Sequence, residues 1–190
     1  MPVTKRLPHL GSPKNLIDYI LDEKNDGEKV GCASSLNCNV ETALYEFKDV
    51  QKKYKMAGTR GAYHIIQSFS PKDKISVEQA NEIGLRMCKE LYPTFQCIVS
   101  THIDKGHIHN HICVNAINLE GRKLEDRLAN EKEGLYGVSD TSDRIAAEYG
   151  CFIMPRKTYL KSKNSQDDYY QYKSCLLYTS PSPRDMRRSR

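Results

Sequence analysis

Between His102 and Asn115 the chain reads HIDKGHIHNHICVN, so four of its six histidines fall within ten residues. Core packing alone rarely yields that density, because each buried polar ring needs a hydrogen-bond partner. Isoleucine, valine and cysteine alternate with the imidazoles, and the spacing predicts two antiparallel strands, 95–103 and 108–118, joined by a two-residue turn at Lys105-Gly106. That register opposes Asp104 to His107, Ile103 to Ile108 and His102 to His109. Directly opposed residues hold their Cβ atoms about 4.5 to 5.5 Å apart, and period-two alternation puts His111 on the face of His109. Ile103, Ile108, Ile112 and Val114 take the other parity and would form an apolar underside. The plainer alternative is a hydrophilic strand with incidental histidines.

Three imidazoles on one face of a hairpin can converge on one ion. Three neutral ligands with open positions suit a catalytic divalent metal better than a closed structural site, which usually has four ligands and often cysteine. Imidazole accepts zinc, manganese, nickel or iron, so the ligands alone leave the ion open. His107 shares the parity of His109 and His111 but lies at the turn itself. Asp104 is also at the turn, where it either accepts a hydrogen bond from a ligand histidine or serves only the turn.

The remainder of the chain supplies helices and further strands. Ser12-Pro13 before LIDYIL opens a helix with Leu16, Ile17, Ile20 and Leu21 as its apolar stripe, ending near 24–27. A second helix is expected over 40–56 and a strand in AYHIIQSFS. Ser76 with Gln79 starts a long helix that stops before Pro93. After Gly121, RKLEDRLANEKEGLYG reads as polar loop, and VSDTSDRIAAEYG as a short amphipathic helix ending at Gly150. At least one more strand is expected from 1–10 or 29–36. This order predicts an α+β fold with a central, largely antiparallel sheet flanked by helices.

Composition narrows the class. At 190 residues one domain is expected, and no stretch approaches the ~20 apolar residues that span a bilayer. The basic N-terminus has no apolar run behind it, so no secretory signal is visible and a cytoplasmic protein is expected. Seven scattered cysteines without a C-x-x-C pair suggest reduced thiols. Residues 174–190, SCLLYTSPSPRDMRRSR, carry four arginines against one aspartate, +3 of the net +5. This tail resembles translated sequencing-adapter read-through. A basic nucleic-acid-seeking arm is the alternative. A single working domain is thus expected over 1–173, cut short at its C-terminal end.

The pattern H-x-D-x-x-H-x-H-N-H-x-x-x-N closely resembles the metal-binding motif of mobilisation-type relaxases, within the HUH endonuclease group. YHIIQSF at 63–69 resembles that family's second motif, Asp18-Tyr19-Ile20 its tyrosine motif, and SDRIAAEYG the helix after the metal strands. The resemblance implies an HUH-like fold, metal ligands at His102, His109 and His111, a nucleophile at Tyr19, and a DNA-contacting or positioning role for Ser68; Asp104, from its place beside the ligand histidines, is counted with Tyr19 as a catalytic candidate. It also implies a divalent cofactor, Mg²⁺ or Mn²⁺. Single-stranded DNA at a transfer origin is the implied substrate, with accessory mobilisation proteins and a secretion-system coupling protein as partners.

A phenol with an ordinary pKa near 10 is a weak nucleophile at neutral pH, so attack on a phosphodiester needs activation and charge neutralisation. Tyr19 attack would leave a 5′-phosphotyrosyl link and a free 3′-hydroxyl, a reversible nick. His64 or Asp22 could accept the proton, and Tyr45, Tyr54 and Tyr63 are competing tyrosines. Without the resemblance, Tyr19 reads as a helix tyrosine at the edge of the core. Lys14 and Lys24, with Lys5 and Arg6, lie near the nucleophile; Arg60, with Lys52, Lys53 and Lys55, precedes the second motif. These are candidate phosphate contacts. A rolling-circle replication initiator would share the chemistry but usually places its tyrosine after the histidines. A non-enzymatic metal- or DNA-binding module is the rival of another class.

Overall fold

The computed structural model describes residues 2–10, 12–22, 28–55, 60–104, 106–124 and 134–153. In chain order its elements are β1 (Val3–Leu10), α1 (Lys14–Ile20), β2 (Val30–Leu36), α2 (Ala43–Lys53), β3 (Arg60–Ser68), α3 (Val77–Leu91), β4 (Cys97–His102), β5 (His109–Asn115) and α4 (Gly134–Glu148). The strands form one five-stranded antiparallel sheet in the order β1-β3-β5-β4-β2. The α+β architecture with a central antiparallel sheet flanked by helices is the one predicted. Both segments offered as the extra strand are strands, and they form the two edges.

That edge placement has a consequence for the helices. Because β1 and β2 lie at opposite edges, the connection between them carries α1 across the face of the central strands. Leu16, Ile17 and Ile20 of α1 pack with Ala43 and Phe47 of α2 against Ala62, Ile98 and Cys113 on that face. The opposite face packs Ile83 and Met87 of α3 and Val138 and Ile145 of α4 on Tyr63, Ile65, Val99, Ile112 and Val114. Central strands covered on both faces are buried along their whole length, as β4 and β5 are. One face of β5 offers Ile112 and Val114 to the larger core; the other offers His109, His111 and Cys113.

Local chemistry sets the helix ends. Ser76 and Gln79 form the predicted capping box on α3, each side chain satisfying the other's backbone N–H. On α1 the cap is Pro13, one residue later than predicted; the Ser12 hydroxyl accepts from the Lys14 N–H at 3.3 Å. This helix stops at Ile20, short of the expected 24–27, because Asp22 turns into the left-handed region at φ 52°. The last carbonyls of α1 are thereby released from the helical ladder.

Three expectations are corrected. The β4–β5 ladder ends at His102 and His109, so 103–108 is a six-residue connection and not a two-residue turn. The cause lies in neighbouring strands: Ile103 N–H donates to Lys29 O beside β2, and Phe69 N–H donates to Ile108 O beyond β3, pulling the two ends apart. Ile103 is consequently 50% exposed and not part of the underside. Helix α4 begins at Gly134, inside the segment read as loop; the tail at 174–190 and Lys105 of the expected turn lie outside the described residues.

Ile17 is 2% exposed and ties α1 to the sheet. Ile17→Ala should cost about 2 to 5 kcal/mol in urea unfolding, whereas Tyr45→Ala, at a residue 70% exposed, should stay within about 0.5 kcal/mol of the parent.

Candidate metal centre and active site

The register sets His102 directly opposite His109, and His111 opposite Ser100 on the same face. One potential ligand atom from each of the three histidines lies within 4.8 Å of the other two. Ring centroids are 4.5 Å apart for His102 and His111, 5.0 Å for His109 and His111, and 5.5 Å for His102 and His109. All three side chains are buried. Convergence on one face is the arrangement that period-two alternation requires.

Each ring is held from behind. His102 Nε2 donates to the Ile20 carbonyl at 2.7 Å, one of the acceptors freed where α1 ends. His109 Nδ1 donates to the His107 carbonyl at 3.3 Å. His111 Nδ1 meets Nε2 of His64 at 2.8 Å. A neutral imidazole that donates through one nitrogen keeps a lone pair on the other, so the carbonyls behind His102 and His109 select the tautomer a metal ligand needs, and His111 takes the same tautomer when it donates to His64. Burial pushes the pKa of His109 down to about 4 and lowers that of His102, in both cases more than the backbone carbonyls and Asp104 raise it. The rings are therefore uncharged at neutral pH. Three buried, pre-oriented imidazoles, two of them held uncharged by burial, fit a divalent ion.

Asp104 stands on the open side of His109, its Oδ1 3.7 Å from Nε2, too long for a hydrogen bond. The acceptor behind His109 is the His107 carbonyl, a role that the sequence offered to Asp104. Tyr19 lies on α1 at the mouth of the site, 43% exposed. Its ring centroid is 5.3 Å from that of His111, edge-on, 6.2 Å from His64 and 6.4 Å from His102. Partial burial raises the phenol pKa above its ordinary value, and the carboxylates of Asp104 and Asp22 add to this. Asp22 is buried and accepts from the Lys29 backbone N–H at 3.4 Å and from Lys29 Nζ at 3.3 Å.

The competing tyrosines are elsewhere. Tyr63 is on the opposite face, where its hydroxyl donates to the Leu124 carbonyl. Tyr54 donates to the Leu119 carbonyl, and Tyr45 is exposed on α2. Ser68 pairs with His109 across the β3–β5 ladder and is buried, its hydroxyl without a hydrogen-bond partner. Lys14 pairs with Asp18 at 2.7 Å on α1. Lys24 and the side chain of Arg60 lie outside the described residues.

His64 enters as a partner of His111, where sequence reasoning offered it only as a proton acceptor. A signal existed: four residues before Ser68 on one strand, His64 must share its face. What the sequence lacked was the neighbour of that strand.

Comparison with known proteins gives concordant results. Residues 19–151 match the family model described as relaxase, MobA/VirD2-like, nuclease domain. A Staphylococcus aureus relative named Protein rlx is 32% identical over 159 residues, covering 83% of this chain and 45% of the relative. The group II intron-interrupted relaxase LtrB of Lactococcus lactis is 34% identical over 129 residues, covering 62% of this chain and 22% of the relative. The chain thus spans less than half the length of the curated relatives it matches. A solved structure from work on the molecular basis of vancomycin resistance transfer in Staphylococcus aureus superposes with a TM-score of 0.55 at 11% identity, covering 78% of this chain and 92% of that one. At that identity the likeness establishes the fold.

The depressed histidine pKa values have a measurable sign. Below the ordinary value of 6.5 the unfolded chain takes up protons that folded His109 refuses until about pH 4. Its contribution to stability is therefore complete above about pH 6.5 and is lost as pH falls toward 4. Thermal midpoints recorded without divalent ions should drop between about pH 7 and pH 4, with a shallower slope in His109→Asn; equal slopes would contradict the assignment.

Proposed function

The chain belongs to the MobA/VirD2-like relaxase nuclease family, and from that membership we propose that it nicks and rejoins one DNA strand at the transfer origin of a plasmid or other mobile element. The observation that carries the mechanism is the Tyr19 ring, its centroid 5.3 Å from that of His111 at the open side of the triad.

Tyr19 Oη attacks the scissile phosphorus and a new P–O bond forms while the bond from phosphorus to the 3′ oxygen breaks. The 3′ oxygen leaves as a hydroxyl once it gains a proton, and the 5′ phosphate stays on the protein as a phosphotyrosine. One ester replaces another, so the 3′-hydroxyl can later attack the link and restore the strand. A divalent ion, Mg²⁺ or Mn²⁺, held by His102, His109 and His111 would polarise a non-bridging phosphate oxygen and offset the charge developing there. Because burial and, to a lesser degree, nearby carboxylates disfavour a free phenolate, the proton is best removed as the new bond forms. Asp104, whose carboxylate stands on the open side of the triad 3.7 Å from His109 Nε2, is the acceptor we assign. Asp22 is engaged by Lys29.

Ser68, buried beside His109, acts as a packing and positioning group on the triad face. Lys14, Lys24 and Arg60 supply charge for the phosphates of a single strand, whose unpaired backbone can bend into the site. In the cell we place this reaction in the cytoplasm, alongside accessory mobilisation proteins and a secretion-system coupling protein. No helix among the described residues is long and apolar enough to cross a membrane.

Incubation with single-stranded oligonucleotides tiling the element's transfer origin, plus Mn²⁺, should give a detergent-resistant covalent adduct. Tyr19→Phe should abolish it, and an adduct that persists would move the nucleophile to Tyr45, Tyr54 or Tyr63. His109→Ala should slow adduct formation by about 10²- to 10³-fold while sparing most DNA binding; full cleavage after chelation of divalent ions would refute the ligand assignment.

A further inference from the structure

We propose that Asn110 is a positioning residue for the metal site, the centre of a buried polar rung that holds His102, His109 and His111 in register; the proposal rests on reading those three histidines as metal ligands. Asn110 lies between His109 and His111 in sequence, so its side chain points to the other face of the sheet. There, in a core otherwise lined by Ile112, Val114 and Val99, it is completely buried.

Every polar atom of its amide is used. The Asn110 carbonyl oxygen accepts from the Thr101 hydroxyl at 2.6 Å, and its NH₂ group donates to Gln67 Oε1 at 2.8 Å and to the Ala80 carbonyl at 2.6 Å. Gln67, also fully buried, donates onward to the Ser142 hydroxyl of α4 at 2.7 Å. Asn81 of α3 donates to Thr101 Oγ1 at 3.1 Å. The ladder pairs Gln67 with Asn110 and Asn110 with Thr101, so the three form one row across β3, β5 and β4. On one side of that row lies the rung Ser68–His109–His102, and on the other Ile66–His111–Ser100. The polar row is thus flanked on both sides by the rungs that carry the histidines.

An isoleucine at 110 would fill the space with no demand on direction. The amide is satisfied in one register only: a one-residue slip turns both histidines toward α3, and a two-residue slip breaks the bonds to Thr101 and Gln67. Helix α3 contributes to the same selection. A Cβ at Gly84 would lie 2.8 Å from Asn110 Nδ2, so glycine there allows the helix close enough for the Ala80 carbonyl to take its bond. The buried row therefore locks the central strands to one another and to both helices directly behind the triad.

The test uses the full chain and isothermal calorimetry with Mn²⁺ alone, paired with single-turnover adduct kinetics and thermal melts. Asn110→Leu should weaken Mn²⁺ binding by about tenfold, in the range seen when groups behind metal ligands are removed, and lower the cleavage rate while the DNA KM changes little. Ile112→Ala, on the same strand and face, should lower the melting temperature at least as far but leave Mn²⁺ affinity near that of the parent. Parental affinity in Asn110→Leu, or an equal loss in Ile112→Ala, would overturn the proposal. If Asn110→Leu does not fold, Gln67→Met and Ser142→Ala carry the test: affinity should fall in both, more in Gln67→Met, and unchanged affinity in both rejects the positioning role. A parent protein that binds no Mn²⁺ would instead sink the ligand assignment, and this proposal with it.

Discussion

The ladder between β4 and β5 is the contact on which the remaining features depend. It opposes His102 to His109, and because both faces of this hairpin are covered, the alternation of its side chains divides two tasks. One face receives apolar side chains for the core with α3 and α4; the other collects imidazoles under α1. A strand half-open to water could tolerate slippage, but a strand buried on both faces cannot, since a shift of one residue would exchange histidines for isoleucines.

Topology brings Tyr19 to the same place. A seven-residue helix cannot hold a tyrosine in place by its own stability. What holds α1 is the apolar stripe of Leu16, Ile17 and Ile20, laid across the central strands because the strands it joins are the two edges. Its termination at Asp22 then exposes the Ile20 carbonyl to His102. The helix that carries Tyr19 is thereby hydrogen-bonded to one of the histidines, and the end of a helix becomes part of the site's wiring.

Burial acts in opposite directions on the two kinds of group, with one chemical outcome. It keeps His102 and His109 uncharged, with lone pairs available, and favours the protonated form of the Tyr19 phenol. The charge that remains at the mouth of the site is that of the Asp104 and Asp22 carboxylates.

From the residue pattern alone came the α+β class, the two central strands, the pairing of His102 with His109 and the shared face of His111. These follow from alternation and a short connection, which are local properties. The capping box at Ser76 was legible for the same reason. The length of the 103–108 connection was not, because backbone bonds from Lys29 and Phe69, distant in sequence, decide where the ladder ends. Nor were the roles of His64 and Asn110 legible, since each depends on which strand lies alongside β5. Tyr19 could be named only by resemblance; its position beside His111 results from the strand order 1-3-5-4-2. The chain by itself determined which side chains share a face, through the pleat of each strand, and only the assembled sheet decided which faces meet, because that choice is made by contacts between residues far apart in sequence.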